Sequence, residues 1–222
     1  MRLPKALRRL TPARVRDDPR LRAVAVGTGV IPPRTMHSAA EAALLAELAR
    51  GRRRVVEIGV FEGSSALVLC DVLGPGSELH LVDPFGHHPD ALRAGHAATE
   101  WATRRVVRRA ARRNGGPRVQ FHVDFSANVA ERWTLPVDVV FIDGDHSQLG
   151  VLKDWELWHP FVIEGGHVLF HDARASQPDG RGLPGPTAVV DRLFRGPRAL
   201  PDWEITAEAD RAVAVTYQPR AA

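Results

Sequence analysis

The chain alternates between two hydrophobic periods. Short continuous apolar runs at 55–58, 79–82, 119–123, 137–142 and 167–170 read as buried strands. Between and around them, 39–50, 64–73, 89–113, 149–158 and 187–194 carry apolar residues at helical spacing. Buried strands separated by helices predict a parallel sheet covered on both faces. Two last runs, 203–207 and 212–217, are joined by the tight acidic turn Glu208-Ala-Asp210 and predict an antiparallel pair. The punctuation agrees. Ser38-Ala-Ala-Glu41 is a capping box ahead of the first helix, and Gly51 is its stop. Gly74-Pro-Gly76, Asn114-Gly115-Gly116 and Gly165-Gly166 are turns, Pro160 ends the helix at 149–158, and 173–186 is a Gly- and Pro-rich loop. The pattern predicts an α/β domain: a doubly wound, mostly parallel seven-stranded sheet with an antiparallel last strand and an N-terminal helical extension. Residues 1–35, rich in arginine and closed by Pro32-Pro33, read as a basic arm with room for a short helix within 4–10; 36–220 is the domain.

Composition narrows the class. A chain of 222 residues buries about 70% of its unfolded surface, enough for a core without crosslinks. With 44% hydrophobic and 25% charged residues it is not a disordered chain. The single cysteine, Cys70, excludes a disulfide framework and a thiolate zinc cluster. No apolar run reaches the length of a membrane span, so no membrane is expected. Arg2, Lys5, Arg8 and Arg9 are followed by no apolar stretch of signal length, and a cytoplasmic location is expected. The formal charge is +4, and apart from Lys5 and Lys153 every basic residue is arginine. Such a surface attracts RNA, acidic membranes or anionic substrates. No basic–aromatic repeat accompanies it, which favours a plain compositional bias.

Ligands of doubly wound sheets sit outside the carboxyl ends of the strands. Those ends carry Glu57 and Gly59, Asp83, Asp124, Asp143, and His171-Asp172. Converging carboxylates repel one another unless something cationic or rich in hydroxyl donors lies among them. Gly59 and Gly63 allow a tight turn and close approach of a ligand, and Ser64 or Ser65 can cap the next helix. Asp83 can accept hydrogen bonds from ribose hydroxyls. The glycines fall as G-x-x-x-G rather than as the dinucleotide fingerprint, and Glu57 and Glu62 would repel a pyrophosphate. A cationic nucleoside without phosphate, such as S-adenosylmethionine, suits this end.

The segment 55–69, Asp83, Phe141-Ile-Asp-Gly-Asp-His146 and Gly165-Gly-His-Val-Leu-Phe-His-Asp172 together resemble the class I S-adenosylmethionine-dependent methyltransferases. More narrowly they resemble the macrocin-type sugar O-methyltransferases, over residues 33–217. The resemblance implies a Rossmann-like methyltransferase fold with S-adenosylmethionine as cosubstrate. The loop from Glu57 through Gly59 to Gly63, with Ser64, would hold its methionine part, and Asp83 its ribose. Asp124 would lie near the adenine with Phe125 or Ser126, or else cap the helix that follows.

Asp143 and Asp172 end adjacent strands, and hard oxygen ligands of this kind suit Mg²⁺. In the related catechol-type enzymes a third ligand, Asn or Asp, follows the second acid. Here that position is Ala173, so His171 or Asp145 would substitute. His146, three residues past Asp143, matches the catalytic lysine position of those enzymes. An imidazole there would serve as general base, or else cap a helix or stand in solvent. His171 could instead be a packed strand-end residue. His37 would fold over the cofactor or simply lie in a loop. His87 and His88 are given no role, and Trp155 and Trp158 read as core or interface. The expected reaction is methyl transfer to a hydroxyl of a small molecule, a sugar or natural product. Two alternatives stand beside it. One is a nucleic-acid methyltransferase gripping phosphates with Arg104-Arg105, Arg108-Arg109 and Arg112-Arg113, disfavoured because no N-P-P-Y motif is present. The other is a non-catalytic cofactor-binding module docked through the basic arm. A homo-oligomer is left open.

Overall fold

A computed structural model describes residues 18–86, 99–113 and 115–220. Five apolar runs form the parallel centre of one sheet: β1 (Arg54–Ile58), β2 (Glu78–Val82), β3 (Arg118–His122), β4 (Val137–Ile142) and β5 (Val162–Phe170). β6 (Trp203–Ala209) and β7 (Ala212–Tyr217) complete it in the order β3-β2-β1-β4-β5-β7-β6, with β7 antiparallel to both neighbours. The registers Ile58↔Val82, Val82↔His122, Ile58↔Ile142 and Ile142↔Phe170 align the carboxyl ends of the five central strands. Residues following those ends therefore emerge along one edge, which is where the chemistry lies.

Period-two alternation assigns each strand residue to a face. Val55, Leu79, Leu81, Val139 and Phe141 pack with α2 (Ala39–Ala49), α3 (Ser64–Val72) and α4 (Thr99–Arg113). Val56, Ile58, Val140, Ile142 and Phe170 pack on the other side with α5 (Ser126–Ala130), α6 (Gln148–Trp158) and α7 (Pro184–Val190). Trp155 and Trp158, at helical spacing on α6, are core residues; the Trp155 ring meets Trp203 edge-on at 4.7 Å. The capping box forms as expected, with Ser38 Oγ accepting from Glu41 N–H and the Glu41 carboxylate accepting from Ser38 N–H.

Several expectations are corrected. Neither Ser64 nor Ser65 caps α3: Gly63, at φ +84°, is its N-cap and no side chain serves it. Gly165-Gly166 does not precede β5 but lies inside it, and the partners jump from Val137↔Val162 to Val139↔His167, an irregularity that absorbs the extra residues. Part of the basic arm is helical. α1 (Pro19–Thr28), with Asp18 as N-cap and proline at N1, packs Ala23 and Val26 against Ala102 of α4. Gly27 is required there, because a Cβ would stand 2.3 Å from the Trp101 ring. The helix expected within 4–10, the first half of the one expected over 89–113, and His87 and His88 lie outside the described residues.

Candidate active site

A cavity of about 900 Å³ opens above the aligned strand ends, running from the glycine loop after β1 to the acids after β4 and β5. At the first end the backbone makes the wall. Gly59 sits at φ +86°, and a Cβ there would lie 2.1 Å from the carbonyl oxygen of Asp143. Phe61, at φ +50°, is held by Thr103 Oγ1 donating to its carbonyl at 2.7 Å. Asp83 fixes the loop. One of its oxygens accepts from the N–H groups of Val60 and Phe61, both at 2.8 Å, and the other from Phe85 N–H at 2.6 Å. A carboxylate has about four acceptor positions, so Asp83, on the cavity wall, keeps capacity for a hydroxyl. Gly59, Ser64 and Ser65 also line the cavity.

Three residues expected to touch a cofactor, Glu57, Gly63 and Asp124, do not line this space. Gly63 is turned toward α4, where a Cβ would meet Thr103 and Val107. Glu57 is fully buried behind the wall, where Ser65 Oγ donates to Oε1 and Oε2 has no partner. Burial, reinforced by Asp143 and Asp83, pushes its pKa up to about 8. The alternation that puts Val56 and Ile58 on one face puts Glu57 under α3. Asp124 is turned outward, accepting from Phe125 N–H and Asn128 Nδ2 and pairing with Arg132 at 2.9 Å. These partners hold its carboxyl below the usual range. Nor is it the N-cap of α5, which is Phe125. Phe125 and Ser126 are the residues of this turn that reach the cavity.

The second end is built from side chains. Asp143 Oδ1 lies 3.3 Å from His146 Nε2 and 2.9 Å from His171 Nδ1. Asp172 Oδ2 lies 3.4 Å and 3.5 Å from the same two nitrogens. His171 Nε2 faces Glu41 Oε2 at 3.6 Å, and Arg211 Nη1 pairs with Asp172 Oδ1 at 3.0 Å. Burial disfavours charge on His171, but Asp143, Asp172 and Glu41 outweigh it and push its pKa up to about 11. Burial likewise opposes ionisation of Glu41, yet His171 and the backbone N–H groups of Ser38 and Arg211 hold it at about 2. Asp143, half-buried, is kept below its usual value by His146 and His171, and His146 is raised by the neighbouring Asp143 carboxylate.

Asp143, His146, His171 and Asp172 are thus brought together as the sequence suggested. His171 is packed, as its alternative reading had it, and also faces the acids. Asp145 caps its own turn, accepting from Ser147 N–H and Oγ. Ala173 is fully buried and offers no side-chain donor. The donors do not fit Mg²⁺ well: an ion at the centre would meet two imidazole nitrogens beside two carboxylates, whereas Mg²⁺ prefers oxygen throughout.

Sequence reasoning missed Glu41, Arg211 and Asp154. Glu41 was legible only as the acid of a capping box. Arg211 follows Asp210, which sits at φ +45° in the hairpin turn, and no local pattern marks it. Asp154, buried on the cavity-facing side of α6, is pushed up to about 6 by burial.

Residues 56–173, more than half of the chain, match the family described as a methyltransferase domain. The chain belongs to that family, and its sheet order and helix placement are those of the class I S-adenosylmethionine-dependent methyltransferase fold. The fold is similar to that of the O-methyltransferase TomG from Streptomyces achromogenes, involved in tomaymycin synthesis and solved with SAM. That likeness has a TM-score of 0.58 at 20% identity over 91% of each chain. A cofactor-bound protein from MTB, Rv0187, gives 0.60 at 19% identity over 99% of each chain. A stretch of 65 residues is 34% identical to the uncharacterized protein R132 of Acanthamoeba polyphaga mimivirus, covering 28% of this chain and 29% of that protein.

Proposed function

We propose that the protein transfers the methyl group of S-adenosylmethionine to a hydroxyl of a small molecule. The observation that carries this reading is the cavity itself: one space joins a glycine-loop end, suited to a phosphate-free nucleoside, to an acid–imidazole end suited to an oxygen nucleophile. In this reading Asp83, on the cavity wall, accepts from the ribose hydroxyls, and Phe125 offers a flat apolar face for the adenine. The carboxylates of Asp83 and Asp143 favour a sulfonium over a phosphate. Charge is neutralised as an oxygen nucleophile attacks the methyl group, so alignment of the two ends supplies much of the acceleration. The acceptor's proton is removed at the Asp143–His146 pair, where His146 is the group most open to the cavity. A sugar hydroxyl, as in the macrocin-type branch, is the narrower version.

The arginine face of α4 does not favour a nucleic-acid substrate, because Arg104 and Arg108 lie over the Phe121 ring at 4.8 and 5.7 Å. Among the described residues no helix is long and apolar enough to cross a membrane. A reducing, cytoplasmic setting suits Cys70, whose buried thiol is pushed up to about 12 and stays protonated.

Calorimetric titration with S-adenosylhomocysteine, beside a turnover assay on hydroxylated acceptors, tests the reading. One site per chain is expected, and a folded protein with no affinity for S-adenosylhomocysteine would end it.

A further inference from the structure

We propose that Asp154 sets base specificity by accepting a hydrogen bond from the exocyclic amine of the cosubstrate's purine, reading it from α6 rather than from the end of β3. The assignment rests on the methyl-transfer reading above.

The pattern of α6 makes Asp154 conspicuous. Its buried positions are Val151, Asp154, Trp155 and Trp158, a stripe at i, i+3, i+4 and i+7. Valine and the two tryptophans pack in the core, yet a carboxylate only 7% exposed stands among them. Packing alone calls for an apolar side chain there, because a buried acid is costly unless donors answer it. The protein answers it in part. Ser126 Oγ already accepts from Trp158 Nε1–H at 2.7 Å, so the hydroxyl's own proton is free to go to Asp154. Burial, reinforced by Asp145, outweighs Ser126 and Lys153 and pushes the Asp154 pKa up to about 6. At neutral pH the group is therefore still mostly a carboxylate, with fewer donors around it than it has acceptor positions.

Its position says which donor is missing. Asp154 lies on the cavity wall with Phe125 and Ser126 of the turn after β3. Gly144, on the same wall, has no side chain to cover it; a Cβ there would stand 3.6 Å from Asp154 Oδ2. In the proposed reading Asp83 takes the ribose and Phe125 the face of the base. An acceptor beside Phe125 then meets the edge of the base, where adenine carries its amine. Asp124, expected near the adenine, is committed to Asn128 and Arg132 and leaves that edge to Asp154. A site built around such a bond rejects a ligand that lacks the donor, since the acid is then buried without its partner.

Calorimetry with two ligands tests this: S-adenosylhomocysteine, and S-inosylhomocysteine, whose base carries an oxygen acceptor in place of the amine. The wild-type protein should bind the inosyl ligand about 100-fold more weakly or worse. Asp154→Asn can present either a donor or an acceptor by turning its amide, and should bring the two ligands to within about 5-fold. Asp154→Ala places an apolar group on an apolar stripe; it should melt no lower than wild type and lose the preference likewise. Asp124→Ala should keep the wild-type ratio. A merely structural role for Asp154 would weaken both ligands alike and leave their ratio untouched. Equal wild-type affinity for the two ligands overturns the proposal. So does a wild-type ratio in Asp154→Asn or Asp154→Ala, or a ratio that collapses in Asp124→Ala. A folded wild-type protein that binds neither ligand would remove the methyl-transfer reading itself, and this assignment with it.

Discussion

The two ends of the cavity handle their acids in opposite ways. At the glycine-loop end the two acids of the loop itself, Asp83 and Glu62, are answered by the protein, and only Glu57 behind it keeps an oxygen without a partner. Asp83 takes three backbone N–H groups, and Glu62 takes Arg22 in a two-pronged pair at 2.7 Å together with Arg34 N–H. At the other end imidazole nitrogens stand among carboxylates without forming proper hydrogen bonds. The first end is a shape made of backbone and closed by its own polar groups. The second is chemistry left incomplete, at a cost of about 1–3 kcal/mol for each unsatisfied buried group. An acid in a cleft therefore says little until its partners are counted.

If the first end is shape, damage to its backbone should be the most severe. Gly59→Ala puts a methyl group 2.1 Å from the Asp143 carbonyl oxygen and 2.5 Å from its carbon, at a φ that side chains rarely adopt. Neither contact can relax without moving β1 against the loop after β4. We expect S-adenosylhomocysteine binding to fall below detection by calorimetry, with a lowered melting temperature. Wild-type affinity in this variant would break the comparison at its root.

Asp83→Ala comes next. It strands the N–H groups of Val60, Phe61 and Phe85, each bonded to a charged acceptor and worth about 1.5–3 kcal/mol. Affinity for S-adenosylhomocysteine should drop about 10- to 100-fold, the range that one such bond covers. Asp83→Asn can still accept through its amide oxygen and should recover part of that loss. A variant that melts normally and binds normally would show that the loop holds its shape without this acid.

The sheet was legible in the sequence because five short apolar runs left little choice of element, and aligned strand ends then gathered Asp143, His146, His171 and Asp172. Other features were hidden for physical reasons. Glu41 and Arg211 meet across 170 positions, and no local spacing encodes such a contact. The apolar stripe of α1 consists of small residues among arginines, so its period is faint, although Asp18-Pro19 is a start signal in retrospect. The glycine pair at 165–166 reads as a turn because a bulged strand and a turn call for the same residue. The burial of Glu57 was available from alternation along β1. Beside Gly59 and Gly63, however, Glu57 reads as part of the loop rather than of the strand face it occupies.

Glu57 leaves binding less affected than Asp83 and acts on stability instead. Its folded pKa of about 8 lies above the ordinary 4.5, so the folded chain holds a proton that the unfolded chain releases between those values. The folded state then binds more protons, and this group's contribution to stability falls as pH rises from about 4.5 to 8. Across that window the loss amounts to a few kcal/mol, at about 1.4 kcal/mol per pH unit. Glu57→Gln keeps a neutral group beside Ser65 and should remove the slope. Urea melts at pH 5 and pH 8 measure it: the two proteins should nearly coincide at pH 5 and separate at pH 8, with the variant the more stable. Equal slopes would mean that Glu57 is ionised in the fold and faces the cavity after all.

The smallest effect is expected at Asp124, and it separates cavity wall from surface within a single turn. Asp124 points outward to Asn128 and Arg132, an exposed pair of the kind that contributes little. Its neighbour Phe125, 46% exposed, lines the cavity. Asp124→Ala should leave S-adenosylhomocysteine affinity at the wild-type value, while Phe125→Ala removes an aromatic face from the nucleoside end and should weaken binding by about 5- to 10-fold. The reverse order, with Asp124 the more damaging, would mean that an acid at a third strand end does reach the nucleoside. The division of this turn into cavity wall at Phe125 and surface at Asp124 would then be lost.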